Sequence, residues 1–252
     1  MPSTNKSSVP QGAPATKPKP GTTVIGGSGG QPGSSYEDDA SVGAMARTIL
    51  RASPARRLVI EIAYVSGRQP SQQALDHLKA ILQRECAKPD GIAIDMDSEI
   101  TNPKDSYTLS DLIALEAHYR RDHSAGSVAT VWIAALNGSF AGGSATLGLS
   151  FRATAFVLFE DQIQQAANVF VSSASIERAV ITHEMGHLLG LINIGYHSHY
   201  DHEDPQHPHH SKYQTSVMYW AIEDMSIATI LRGGPPDDFD QYDRADLALL
   251  RG

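Results

Sequence analysis

Residues 173–190 read Ser-Ala-Ser-Ile-Glu-Arg-Ala-Val-Ile-Thr-His-Glu-Met-Gly-His-Leu-Leu-Gly, and they set the terms for the rest of the chain. Ile176, Ala179, Val180, Leu188 and Leu189 recur at helical spacing. That spacing predicts a helix over roughly Ala174–Leu189, with N-cap candidates from Ser172 to Ser175 and Gly190 ending the run. Side chains four apart lie on one helical face. His183 and His187 then point the same way, at a spacing that suits two imidazoles on one zinc ion. Glu184 stands beside the first, where its carboxylate can take a proton from a metal-bound water. Two His and a Glu on an otherwise apolar helix are costly to bury without a partner. The plainer alternative is a chance pattern in a chain that holds 11 histidines.

Upstream, Leu58–Val65 reads as a strand closed by Gly67 and Pro70. Ser71 then caps a helix running to about Cys86, with Ala74, Leu75, Leu78, Ile81 and Leu82 at helical spacing. Lys88–Gly91 is a turn, and Ile92–Ile94 opens a second strand. Leu109 to about Arg120 is expected to be helical with Ser110 as its cap. Val128–Leu136 is a third strand, and Thr146–Phe159 gives one long strand or two short ones. A short helix is expected at Ala44–Arg51.

Downstream of Gly190 periodicity stops. Residues 191–215 read as a polar, His-dense loop, followed by the apolar knot Ser216–Trp220 and a break at Gly233–Pro236. Asp237 or Asp240 opens a closing helix with Ala245, Leu247 and Leu250 on one face. The sum is α+β: a mixed twisted sheet with backing helices, then a mostly irregular lower part. One domain is expected over 44–252, divided into an upper subdomain of about 57–190 and a lower one of about 191–252. Residues 1–43 are rich in Pro, Gly, Ser and Thr. They hold too few bulky apolar groups to offset ordering entropy, so a disordered low-complexity leader is expected.

The 252 residues are 41% hydrophobic, enough for one good core. The net charge is -8 with no basic run, so nucleic acid is not an expected partner. No stretch approaches the roughly 18 apolar residues of a membrane span. No charged start followed by an apolar core marks a secretory signal. The single cysteine, Cys86, reads as a structural thiol rather than a nucleophile. A monomer is expected.

Two His leave a catalytic zinc short of its usual three protein ligands. His197, His199, His202, His207, His209 and His210 follow the helix, with Asp201, Glu203 and Asp204 among them. The run His183–Gly190 resembles the start of the metzincin signature H-E-x-x-H-x-x-G-x-x-H, which continues to a Met-turn. Asn193 stands where that signature has its third His; a neutral amide is a poor zinc donor, and Asn193 is read as shaping the turn. Further on, His210-Ser211 through Ser216-Val217-Met218 resembles the archaemetzincin pattern H-C-x4-C-x-M, with serines in place of cysteines. The whole region is similar to bacterial membrane-associated metalloproteases of archaemetzincin-like type, which carry a His-rich insert between helix and Met-turn. Val59–Gly67 and Lys88–Ile92 also look like that group, so the resemblance covers most of 57–220.

The resemblance implies a zincin or metzincin-like fold and a zinc-dependent endopeptidase acting on a peptide or protein substrate. It implies His210 as third ligand, displaced by an insert of residues 191–209; the loop itself leaves His202, then His207 and Asp204, as alternatives, and a different zincin would use a carboxylate such as Asp201 or Asp204. Met218 would form the apolar floor of a Met-turn. Tyr219 is a candidate donor to a transition-state oxyanion, against the plainer reading of a packed tyrosine. One catalytic Zn2+ is expected, and a second metal in the 197–210 loop is a further candidate. In archaemetzincins the cysteine pair helps hold a structural zinc, and Ser211 and Ser216 are far weaker ligands. Export or a cell-surface location follows from the resemblance alone. The competing function is a non-catalytic, His-rich metal-binding or metal-sequestering module.

Overall fold

Val59, Ile60 and Ile62 in one run, and Val128, Val131 and Ile133 in another, carry the β-branched side chains that favour extended backbone. Both runs are strands. The computed structural model describes residues 36–231 and 233–252. In chain order its elements begin with α1 (Ala46–Leu50), β1 (Arg57–Val65), α2 (Gln72–Glu85), β2 (Ile92–Ile100), β3 (Ser106–Tyr107) and α3 (Leu109–Tyr119). They continue with β4 (Val128–Leu136), β5 (Ser139–Phe140), β6 (Gly148–Arg152), β7 (Ala155–Phe159), α4 (Glu160–Ala166) and α5 (Ser173–Leu188). Last come β8 (Glu203–Asp204), β9 (His207–Ser211), a 3-10 turn (Trp220–Glu223), α6 (Ile227–Ile230) and α7 (Gln241–Arg251).

The central sheet has the order β2-β1-β4-β7-β6. All neighbours are parallel except the edge strand β6, which runs antiparallel to β7. Successive side chains leave a strand on opposite faces, and here both faces are covered. Leu58, Ile60, Ile62, Val131 and Ile133 pack in one core with residues of α2 and α5. Ala63, Trp132, Val157 and Phe159 pack in a second core with Leu112 of α3. A mostly parallel sheet needs this double cover. It also leaves α5 lying directly beneath the edge strand.

The expected elements fall within a residue or two of the observed ones, with informative exceptions. The cap of α3 is Thr108, not Ser110. Its hydroxyl accepts from Asp111 N while Asp111 accepts in turn from Thr108 N, a reciprocal capping box. Residues 146–159 divide into β6 and β7. The α4 helix was not expected. The polar stretch 191–215 is not all loop, because β8 and β9 pair antiparallel within it. Asp240, rather than Asp237, caps α7 by accepting from Tyr242 N and Asp243 N.

Residues 1–35 of the expected leader lie outside the described residues. Its last stretch, 36–43, is packed rather than disordered. The Asp38 carboxylate accepts from Ser124 N at 2.8 Å and lies 3.4 Å from Arg120 Nη2. Ala153 N donates to Ala40 O at 2.8 Å, and the buried Tyr36 donates its hydroxyl to Gly126 O. Cys86 is buried at the end of α2, and burial pushes its thiol up to about 12, the signature of an unreactive structural group. Among the described residues no helix is long and apolar enough to cross a membrane.

Candidate metal centre

The α5 helix starts where Ser172 accepts from Ser175 N, and Gly190, at a φ of 81°, turns the chain out of it. Its second half is wholly buried, so His183 and Glu184 are fully enclosed and His187 nearly so. Gly186 between them has no spare room: a Cβ there would come within 2.3 Å of Met218 Sδ and press on Phe239. Met218 thus packs directly under the turn that carries the two imidazoles.

The β8–β9 hairpin carries His210 to the same place. It is tied down by Ser211 N, which donates to Met218 O at 2.7 Å. The rings of His183 and His210 stack with centroids 5.2 Å apart, and His187 stands edge-on to both. A fourth group, Glu223 at the end of the 3-10 turn, completes the set. One ligand atom from each of His183, His187, His210 and Glu223 lies within 4.8 Å of all the others. Among the described residues this is the single set of three or more such donors so brought together.

The set fits a zinc ion. Tetrahedral zinc with arms of 2.0–2.1 Å places its ligand atoms about 3.3–3.4 Å apart. Here His183 Nε2 is 3.0 Å from His187 Nε2 and 3.7 Å from Glu223 Oε2, and His210 Nε2 is 3.2 Å from Glu223 Oε1. The outer nitrogens are also committed. Val217 O lies 2.7 Å from His183 Nδ1 and Pro208 O 3.1 Å from His210 Nδ1. A carbonyl only accepts, so each Nδ1 carries a proton and Nε2 is the nitrogen turned to the shared centre, the one a metal would take. Buried atoms without a hydrogen-bond partner gather here too: Glu184 Oε1, His187 Nδ1 and His210 Nε2.

Electrostatics follow from the burial. Enclosure holds His187 well below the usual imidazole range, and the neighbouring imidazoles His183 and His210 add to that. Enclosure likewise holds Glu184 well above the usual carboxylate range, with Glu223 pushing the same way and the Ser150 hydroxyl opposing. Ser150, on the edge strand β6, donates to Glu184 Oε2 at 2.7 Å. Gly148, two residues earlier, leaves the room that the Glu184 carboxylate fills; a Cβ at 148 would come within 2.6 Å of Oε1. Edge strand and general-base candidate are therefore fitted to one another.

The remaining candidates go elsewhere. His202 is fully buried between two buried carboxylates, 3.0 Å from Asp246 Oδ2 and 3.7 Å from Asp243 Oδ1. His207 stacks flat on Trp220 with Nδ1 2.8 Å from Asp204 Oδ2. His197 and His199 line an open cleft with Asp201 and Asp204, without a converging donor set for a second metal. Ser216, one of the two serines in place of cysteines, donates to Asp243 Oδ2 at 2.7 Å. Asn193 sits at a φ of 61°, donates to Glu203 Oε2 and accepts from Ser198 N. The Tyr219 hydroxyl lies 3.4 Å from Gln214 Nε2. Sequence reasoning missed Glu223. The available signal was an acid ending the apolar run Val217–Ile222, hard by the Met-turn candidate.

No protein-family model matches the chain, and no curated protein is similar to it in sequence. A solved structure is similar in shape: archaemetzincin from Methanopyrus kandleri, at 12% identity over 78% of this chain and 97% of that one, with a TM-score of 0.51. The chain has an archaemetzincin-like fold, a mixed and mostly parallel sheet backed by helices, with a His/Glu group that could hold a metal.

Proposed function

We propose that this protein is a zinc-dependent endopeptidase, with His183, His187 and His210 as metal ligands and Glu184 as general base. The observation that carries this reading is the convergence of three imidazole nitrogens from two distant segments beside a buried carboxylate. A bound zinc would supply a water of lowered pKa and polarise a carbonyl oxygen. The chain's own residues do the rest. Glu184, raised by burial, accepts the proton and returns it to the leaving amine. Ser150 holds that carboxylate by one oxygen and leaves the other free. Met218 seats the helix turn that carries the ligands. The outer edge of the sheet offers main-chain groups to an extended peptide. Tyr219 belongs to the wall of the site in this reading, held by Gln214.

The sequestration reading draws on Glu223, because four protein donors suit a closed zinc site better than a catalytic one. A storage site, however, has no use for a buried base hydrogen-bonded to the sheet edge. Metal analysis together with cleavage of a denatured protein decides between them. Near-stoichiometric zinc and chelator-sensitive cleavage are expected. Glu184→Ala should keep the zinc and lose about 10²–10⁴-fold in kcat. A Glu184→Ala protein of full activity removes that residue from the mechanism.

A further inference from the structure

Glu223 approaches the imidazoles as part of a longer contact. Leu147 N donates to Glu223 O and Met225 N donates to Ala145 O, both at 2.9 Å, and Thr146 bridges Asp224 in antiparallel fashion. On its other side Leu147 O accepts from Phe159 N of β7 at 2.8 Å. Residues 223–225 therefore lie as a short extra strand on the outer edge of the sheet, just ahead of β6. That is the place where an incoming peptide would pair by main-chain hydrogen bonds. The segment is braced at both ends. Ala221 and Ile222 are fully buried, and the Asp224 carboxylate accepts from Ser226 N at 2.7 Å.

We propose that residues 220–226 are a built-in plug: Glu223 is a fourth protein ligand to the metal, its flanking backbone occupies the substrate's edge of the sheet, and the loaded protein cleaves only in the fraction of molecules in which this segment is displaced. The proposal rests on the reading of His183, His187 and His210 as metal ligands. A four-ligand zinc site is closed, whereas a catalytic one keeps a position for water. One displacement of the segment would vacate both that position and the strand edge, so substrate and plug compete for the same groups. Apparent affinity for anything bound at the open position is reduced by the fraction of molecules that are open.

The test uses the full chain loaded with zinc and acetohydroxamate as a probe of the fourth position. Glu223→Gln keeps the shape and removes the anionic ligand; Glu223→Ala removes both. Zinc affinity, measured by competition with a chromogenic chelator, should fall about tenfold or more. Acetohydroxamate binding, by calorimetry, should tighten by about tenfold or more. Opposite signs are expected together, which unfolding does not produce. Unchanged zinc and hydroxamate affinities would overturn the proposal, as would hydroxamate binding that weakens along with zinc.

A second variant needs no change at Glu223. Thr146 and Asp224 are flanked rather than joined by their hydrogen bonds, so their Cα atoms lie about 4.5 Å apart, within disulfide range. Thr146→Cys with Asp224→Cys, oxidised, should bind hydroxamate more weakly and cleave more slowly than the same protein reduced by a phosphine. Equal behaviour of the two forms refutes the plug. His183→Ala guards the underlying reading: zinc affinity untouched by that change sinks the metal centre itself, whatever Glu223 does.

Discussion

Two buried histidine clusters in this protein are built from nearly the same residue types and do opposite things. Around His183 the imidazoles converge on one shared centre, and the outer nitrogens of His183 and His210 are held by backbone carbonyls. Around His202 the two ring nitrogens face different carboxylates, Asp246 and Asp243. Those acids are themselves served by hydroxyls from Tyr196, Ser198 and Ser216. The first arrangement asks for a cation; the second supplies its own charges. Counting histidines does not separate a ligand from a strut, whereas the direction of the lone pairs does.

Removing one histidine from each cluster tests this contrast most severely. His202→Ala strands two buried carboxylates and should cost about 3–5 kcal/mol in chemical denaturation while leaving zinc stoichiometry intact. His210→Ala should weaken zinc binding by more than about 100-fold, the upper range for loss of a mere outer-shell partner. Its effect on the metal-free protein's stability should be small. If His202→Ala loses zinc while His210→Ala keeps it, the assignments are reversed. Gly186→Ala comes next. Overpacking against Met218 should cost about 1–3 kcal/mol and lower zinc affinity with it, read from Tm with and without metal.

The pH dependence sharpens the comparison further. Burial lifts the Asp243 carboxyl from 3.8 to about 7, with Asp240 adding to the effect. Burial lowers His202, but the hydrogen bond it donates to Asp246 and the charges of Asp243, Asp246 and Asp240 more than offset it, so its imidazole is raised. In both cases the folded state holds the proton more tightly than the unfolded chain. Their contribution to stability is therefore greatest in acid and is lost as pH rises, for Asp243 between about 4 and 7. Asp243→Asn should flatten that part of the stability profile of the metal-free protein; an unchanged profile shows that Asp243 does not titrate there. Smallest of all, Ser150→Ala should lower kcat by about tenfold, the equivalent of one hydrogen bond to a carboxylate, without changing zinc affinity.

Sequence alone went furthest where burial imposes a period. The runs that became β1, α2, β4 and α5 are apolar on a helical or strand period and bounded by Ser, Gly or Pro. Their boundaries were legible for that reason. The β8–β9 hairpin was not, because its strands are short and made of His, Pro, Glu and Asp. It is held by backbone pairing and by Glu203, which accepts from Asn193 and from His209 N. The motif supplied His183, Glu184 and His187, and the family pattern pointed to His210. Asp243 and Asp246 each stand four residues before a core leucine, Leu247 and Leu250, on the same face of α7, but nothing local shows that this face meets a histidine from forty residues upstream. Glu223 was hidden for a related reason: its position beside the imidazoles is created by an edge contact with residues 145–147 that no short-range pattern records.

The anchoring of His210 has a consequence for biosynthesis. Its hairpin is tied to His202 through Lys212 N, which donates to His202 O, and His202 is in turn gripped by Asp243 and Asp246 of α7. Those acids are translated well after every proposed ligand. A chain emerging from the ribosome holds His183 and His187 on a helix long before the partner that must orient the third imidazole exists. If the proposed ligands hold zinc, ion capture at full strength follows completion of α7 rather than guiding the chain toward it.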